Sequence, residues 1–226
     1  MMLPQPNWPE GPDAPRLRAG EVHVWRVPLA SGSQLSACRA VLAAEEEARA
    51  ARFVFAQDAE RYITAHGALR LILARYIPCE PDEIEFAAGA HGKPRLLWPI
   101  ADLRFNLSHS GDWILIAIST GREVGVDVEH MNDEIQFEQI AMHCFDPRDA
   151  WELRTAPRQQ QVPLFFDLWT RMEARLKADG AGIGGEIHEI REAGWGARSL
   201  SPAQGYAGAV ASEGEDWQLA CWEWKL

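Results

Sequence analysis

Two hydrophobic rhythms alternate along this chain, and no single layer of secondary structure satisfies both. Between residues 162 and 178, Leu164, Leu168, Met172 and Leu176 recur every fourth position and lay an apolar stripe along a helix. Trp169, Glu173 and Lys177 form a second stripe beside it at the same spacing. By contrast, residues 21–28, 113–119 and 123–129 are Val-, Ile- or Trp-rich runs of strand length. At the end, Trp222, Trp224 and Leu226 alternate with Glu223 and Lys225, the period of a half-buried strand. Helices are also expected over 34–53, from an Asp58 N-cap up to Pro78, and over most of 134–154. Short strands are expected at 84–86 and 105–107 and after the turn at residues 91–94, with a second turn through 108–112. The mixture predicts an α+β fold of two similar halves, without a residue-level repeat. The expected division is a Pro-rich leader over 1–20, then halves over 21–119 and 120–226.

Charge and cysteine usage exclude several function classes. The chain has 226 residues and a formal net charge of −11. Residues 1–120 carry 12 basic and 14 acidic side chains, and residues 121–226 carry 10 and 19. Nucleic acid and anionic membrane surfaces reward clustered positive charge, so neither is an expected partner. The longest strongly apolar run covers residues 113–118, far short of the ~20 residues that span a bilayer. Five prolines and no apolar segment in the first twenty residues read as an extended, mobile leader rather than a signal peptide. The four cysteines are widely separated, which fits a reduced, cytoplasmic protein. Lysine occurs only at Lys93, Lys177 and Lys225, so arginine is the default cation here.

Four segments could carry chemistry. In GVDVE (residues 125–129) strand alternation sends Asp127 and Glu129 to one face, roughly 7 Å apart, a seat for a hard divalent cation or simply a solvated edge. In LWTRMEARLK (168–177), Glu173 and Lys177 read as a surface pair or as a third metal carboxylate with a phosphate-binding cation. FNLSHSGDW (105–113) turns through small residues whose backbone N–H groups, with Ser108 and His109, suit a phosphate; a plain turn explains them equally. HGKP (91–94) fixes a backbone turn and places Lys93. No nucleophile signature and no Gly-rich phosphate loop is present.

Taken in order, HGKP, FNLSHSGDW, GVDVE and WTRMEARLK resemble the motif series of the Sfp-type 4′-phosphopantetheinyl transferases, over about residues 42–182. ARFVFAQDAERY (51–62) resembles that family's first-helix junction. The resemblance implies the family fold, a pseudo-twofold pair of α/β halves with the active site between them. It implies an enzyme of the holo-acyl-carrier-protein synthase type that moves the 4′-phosphopantetheine arm of coenzyme A to a serine of an acyl or peptidyl carrier protein, releasing adenosine 3′,5′-bisphosphate. Asp127, Glu129 and Glu173 match the Mg²⁺ carboxylates, and Lys177 the lysine at the pyrophosphate. Arg49 matches a cation for the nucleotide phosphates. His91, Gly92, Lys93 and Pro94 match the loop around adenosine, and Ser108 and His109 the residues holding the 3′-phosphate. Glu173, directly or through a water, is the candidate base. Residues 140–145 resemble the partner-side segment, and a monomer is expected.

One departure is plain: the family's WxxKE reads WTRME here, with Met172 in place of lysine. Two rival readings follow, a coenzyme A or carrier-binding module without turnover, and a different Mg²⁺-dependent phosphoesterase built on the same acidic trio.

Overall fold

The computed structural model describes residues 7–89, 92–180 and 194–226. The first half runs β1 (Glu21–Pro28), α1 (Gly32–Ala40), α2 (Ala44–Ala50), α3 (Ala56–Leu73), β2 (Glu85–Ala88), β3 (Pro94–Trp98), β4 (Leu103–Ser110) and β5 (Trp113–Thr120). The second runs β6 (Val124–His130), α4 (Phe137–Cys144), α5 (Pro147–Thr155), α6 (Arg158–Asp179), β7 (Trp195–Leu200), β8 (Tyr206–Glu213) and β9 (Gln218–Glu223).

Alternation within the strands builds the layers. Trp25, Val27, Ile114, Ile116 and Ile118 turn one face of the β4-β5-β1-β9 sheet toward Ile63, Leu69, Ile72 and Leu73 of α3. Val22, Val24, Leu115 and Ala117 turn the opposite face toward Val124, Val126, Val128 and Val210 of the β6-β8-β7 sheet. Beyond that second sheet, Ala209 and Ala211 of β8 meet Ala174 and Ala178 of α6. The fold is α+β, two sheets packed face to face with α3 outside one and α6 outside the other.

Several expectations are corrected. The helix over 34–53 breaks before Ala44, where the Ala43 N–H donates to Glu46 Oε2 at 2.9 Å. Asp58 is not a cap; it lies in the first turn of α3, paired with Arg61 at 3.1 Å. The helix over 134–154 is interrupted at Asp146, whose side chain caps α5 by accepting from Asp149 N, with Pro147 at the first helical position. Ser108, His109 and Ser110 belong to β4 rather than to a turn. The leader is docked over its described part: Trp8 Nε1 donates to Ser201 O, and residues 9–11 exchange backbone hydrogen bonds with Glu223. The terminal alternation stops at Trp224, since Leu226 is 59% exposed.

Strands β7 and β8 had no expectation. The sequence of β8, YAGAVASE, is poor in large β-formers because α6 lies against it, and only small side chains leave room for that approach. The last strand leaves the second half altogether: β9 pairs parallel with β1, so residues 218–223 belong to the first sheet. Among the described residues no helix is long and apolar enough to cross a membrane.

Candidate active site

β6 is an edge strand of its sheet, and its open edge is closed by side chains rather than by another strand. Three alternate residues of β4 reach across. Asn106 Oδ1 accepts from Val126 N at 2.9 Å, Ser108 Oγ donates to Asp127 Oδ1 at 2.9 Å, and Ser110 Oγ donates to Glu129 Oε2 at 3.0 Å. Ser110 Oγ also accepts from His130 N at 3.0 Å. The pleat explains the motif: Phe105 faces the α3 core, while Asn106, Ser108 and Ser110 supply hydrogen bonds to a strand edge that no other strand pairs among the described residues.

Helix α6 closes the third side. Gly125 permits this, because a Cβ there would stand 2.1 Å from Ala174 O and 2.3 Å from Ala178 N. At that approach Lys177 Nζ donates to Asp127 Oδ1 at 2.7 Å and to Ser108 Oγ at 2.8 Å. Trp169, Glu173 and Lys177, the second stripe of the helix, all line one open cavity of about 400 Å³ with Leu107, Ser108, His109, Asp127 and Glu129.

The electrostatics of this cavity are lopsided. Burial raises the Asp127 carboxyl above its ordinary range, against the pull of Lys177 and the Ser108 hydroxyl. Burial and then the Asp127 charge raise both Glu129 and Glu173. Three carboxylates face one ammonium, and Asp127 Oδ2 is buried without a hydrogen-bond partner. Among the described residues no three His, Cys, Asp or Glu side chains form a ready-made metal site. The donor set itself (three oxygen ligands, excess negative charge, one unused carboxylate oxygen) suits a hard divalent cation. A cationic rim adjoins it. His109 is held below its ordinary pKa by burial, then by Lys177, Arg61 and His66. Tyr62 stacks on His66 with ring centroids 4.0 Å apart, and the Arg49 guanidinium lies 5.3 Å from the Tyr62 ring centroid.

Residues 25–121 match the family described as 4′-phosphopantetheinyl transferase, N-terminal, and residues 123–222 match the 4′-phosphopantetheinyl transferase superfamily. The chain is 36% identical to the 4′-phosphopantetheinyl transferase HetI of Nostoc sp., over 97% of this chain and 99% of that protein. It belongs to the 4′-phosphopantetheinyl transferase family. A 4′-phosphopantetheinyl transferase of Bacillus subtilis is 30% identical over 69% of this chain and 67% of its own length. The transferase Sfp of Bacillus subtilis strain 168 is 28% identical over 62% of this chain and 60% of its own.

The remaining expected residues of this transferase fall in different places. Lys93 does not line the cavity of Asp127, Glu129 and Glu173: its ammonium is bound to Glu123, Val124 O and Ala178 O. Gly92 takes the left-handed conformation at φ 82°, Pro94 opens β3, and His91 lies outside the described residues. Arg49 does not line the cavity; its guanidinium lies over the Tyr62 ring, which stacks on His66. Met172 packs with Leu176, Cys144, Phe145, Trp169 and Trp195, so position 172 is a core position in this chain. The neighbouring cation, Arg171, pairs with Asp167 at 3.8 Å. The segment over residues 140–145 is mixed in exposure. Ile140, Cys144 and Phe145 are half-buried and Ala141 is buried, while Met142 is 77% exposed.

Three residues were overlooked in the sequence. Asn106 and Ser110 could have been found from the Asn-x-Ser-x-Ser alternation of β4, and His66 from its i+4 spacing to Tyr62 on α3.

Proposed function

We propose that this chain transfers the 4′-phosphopantetheine arm of coenzyme A to a serine of an acyl or peptidyl carrier protein at the cavity bounded by β4, β6 and α6. The observation that carries the reading is the excess of buried carboxylate around an open cavity beside a cationic rim. Asp127, Glu129 and Glu173 would hold Mg²⁺, which neutralises charge at a diphosphate when bound. Lys177 projects from the same wall and can donate to a phosphate oxygen in exchange for its present bonds to Ser108 and Asp127. Glu173 faces the cavity and is the candidate base for the carrier hydroxyl. His109 lies within the field of Lys177 and Arg61, and these two cations favour the anionic end of the nucleotide there. Ser108 acts inside the carboxylate cluster, since its hydroxyl is engaged by both Asp127 and Lys177. On the carrier side, Met142 and the 59%-exposed Trp151 provide an apolar contact.

The test is direct. Apo-carrier, coenzyme A and Mg²⁺ incubated with the protein give a carrier heavier by one phosphopantetheine in the mass spectrum. Hydrolysis of coenzyme A without any carrier adduct would instead establish a phosphoesterase, and nucleotide binding without turnover a binding module.

Lys177→Ala is expected to lower kcat on the order of 100-fold, the usual cost of a preorganised donor at developing charge. Lys225→Ala is the control, because among the described residues its exposed ammonium pairs with Glu10 alone, at 3.3 Å. Equal rates for the two variants would reduce Lys177 to a helix-surface ion pair. His109→Ala is expected to raise the coenzyme A KM more than it lowers kcat, and to narrow the preference over 3′-dephospho-coenzyme A. A contact remote from the breaking bond acts as uniform binding. An unchanged nucleotide preference would remove His109 from the binding site.

A further inference from the structure

Lys93 makes contacts that the proposed function does not use. Its ammonium donates to Glu123 Oε2 at 2.7 Å, to Ala178 O at 2.8 Å and to Val124 O at 3.1 Å. An ammonium has three N–H donors, and here all three are taken. The side chain is 16% exposed, and its methylene stem packs along the C-terminal end of α6, close to Gly180.

Both carbonyls are groups that regular secondary structure leaves unpaired. Ala178 lies in the last turn of α6, where carbonyls have no intrahelical partner and the helix dipole favours a cation. Val124 lies on the open edge of β6, the edge on which Val126 N is satisfied by Asn106. One lysine from the β2–β3 hairpin therefore joins the strand bearing Asp127 and Glu129 to the helix bearing Glu173 and Lys177. Ala178 is the neighbour of Lys177, and Val124 precedes Asp127 by three residues.

We propose that Lys93 is a positioning residue: it sets the separation of β6 and α6, and so the spacing of the three carboxylates, without touching the nucleotide. This rests on the proposed metal site. It departs from the expectation, drawn from the family resemblance, that Lys93 contacts adenosine. Lys177 makes two such bonds among the described residues, whereas all three donors of Lys93 are engaged.

Lys93→Met keeps the stem and removes the donors, and Glu123→Gln weakens one of the three bonds, together with the Arg104–Glu123 pair at 3.0 Å, while leaving both carbonyl contacts. Each is compared with wild type by thermal unfolding without metal, by Mn²⁺ titration followed by electron paramagnetic resonance without nucleotide, and by steady-state kinetics. Lys93→Met is expected to lower Tm by about 4–8 °C. It is also expected to weaken Mn²⁺ binding about 10-fold or more, the usual effect of removing a group that orients metal ligands. The coenzyme A KM is expected to stay within about two-fold of wild type. Glu123→Gln is expected to show a smaller Tm loss with an unchanged coenzyme A KM. A KM raised ten-fold or more in either variant, with Tm and Mn²⁺ affinity unchanged, would overturn the proposal and make Lys93 a nucleotide ligand. If Lys93→Met does not fold, Glu123→Gln decides on the same criterion. Failure of the wild type to modify a carrier would overturn the proposed function, while the Tm and Mn²⁺ measurements would still decide the role of Lys93.

Discussion

Asp127→Ala leaves a folded protein whose transfer rate is down by about three orders of magnitude, the cost expected for losing a central charge in a preorganised site. Asp127 is 3% exposed and receives hydrogen bonds from both Lys177 and Ser108, so every expected role of the cavity passes beside it. Removing one member of a buried ion pair usually destabilises strongly, because the other charge is stranded. Here the survivor is Lys177, whose side chain is 30% exposed and flexible enough to carry its ammonium to water. Removing Asp127 also relieves the repulsion that raises Glu129 and Glu173. Tm is therefore expected to move by no more than about 3 °C. Asp127→Asn keeps the shape and the Ser108 contact but loses the charge, and its activity is expected to fall as far as that of the alanine variant. Near-wild-type transfer by Asp127→Asn would remove the carboxylate charge from the chemistry.

Gly125→Ala is the second large effect, and it strikes fold and activity together. The added methyl would lie 2.1 Å from Ala174 O and 2.3 Å from Ala178 N, both backbone atoms of α6, which cannot turn aside as a side chain can. Either the helix moves off the strand or β6 distorts, and overpacking of this kind costs roughly 3 kcal/mol or more. That corresponds to a Tm lower by about 6–12 °C in a chain of this size. Because Glu173 and Lys177 ride on α6, the same shift separates them from Asp127 and is expected to cost on the order of 100-fold in rate even for the folded fraction. Val126→Ala provides the comparison. It opens a void in the core between the sheets, where Val126 is fully buried, and costs about 2–3 kcal/mol, but it leaves the α6 face of β6 unchanged. Transfer per folded molecule is thus expected to survive in Val126→Ala and to fail in Gly125→Ala. Equal specific activities would mean that the spacing of β6 and α6 does not govern the site.

What was legible beforehand had a local cause. Strand alternation alone put Asp127 and Glu129 on one face of β6, and the four-residue spacing of α6 put Trp169, Glu173 and Lys177 on one side and Met172 with the core. The structure has those side chains lining the cavity and Met172 in an apolar cluster. Periodicity works there because it states which way a side chain leaves its own element. It fails where backbone neighbours compete: the helix over 34–53 breaks at Ala43, and Ser108 to Ser110 extend β4 because an unpaired strand edge is there to receive them.

The sequence by itself thus determined the mixed α+β character, the polar faces of β6 and α6, and the motif order by which the family could be suspected. Only the tertiary structure decided which element each of those faces meets. It showed that Gly125 is small because α6 backbone lies against it, and that β8 is alanine-rich for the same reason. It showed that β9 crosses to the first sheet, and that Lys93 spends its donors on the carbonyls of Val124 and Ala178. A side chain's direction follows from its own backbone, whereas its partner comes from residues tens of positions away, through packing that local periodicity does not encode.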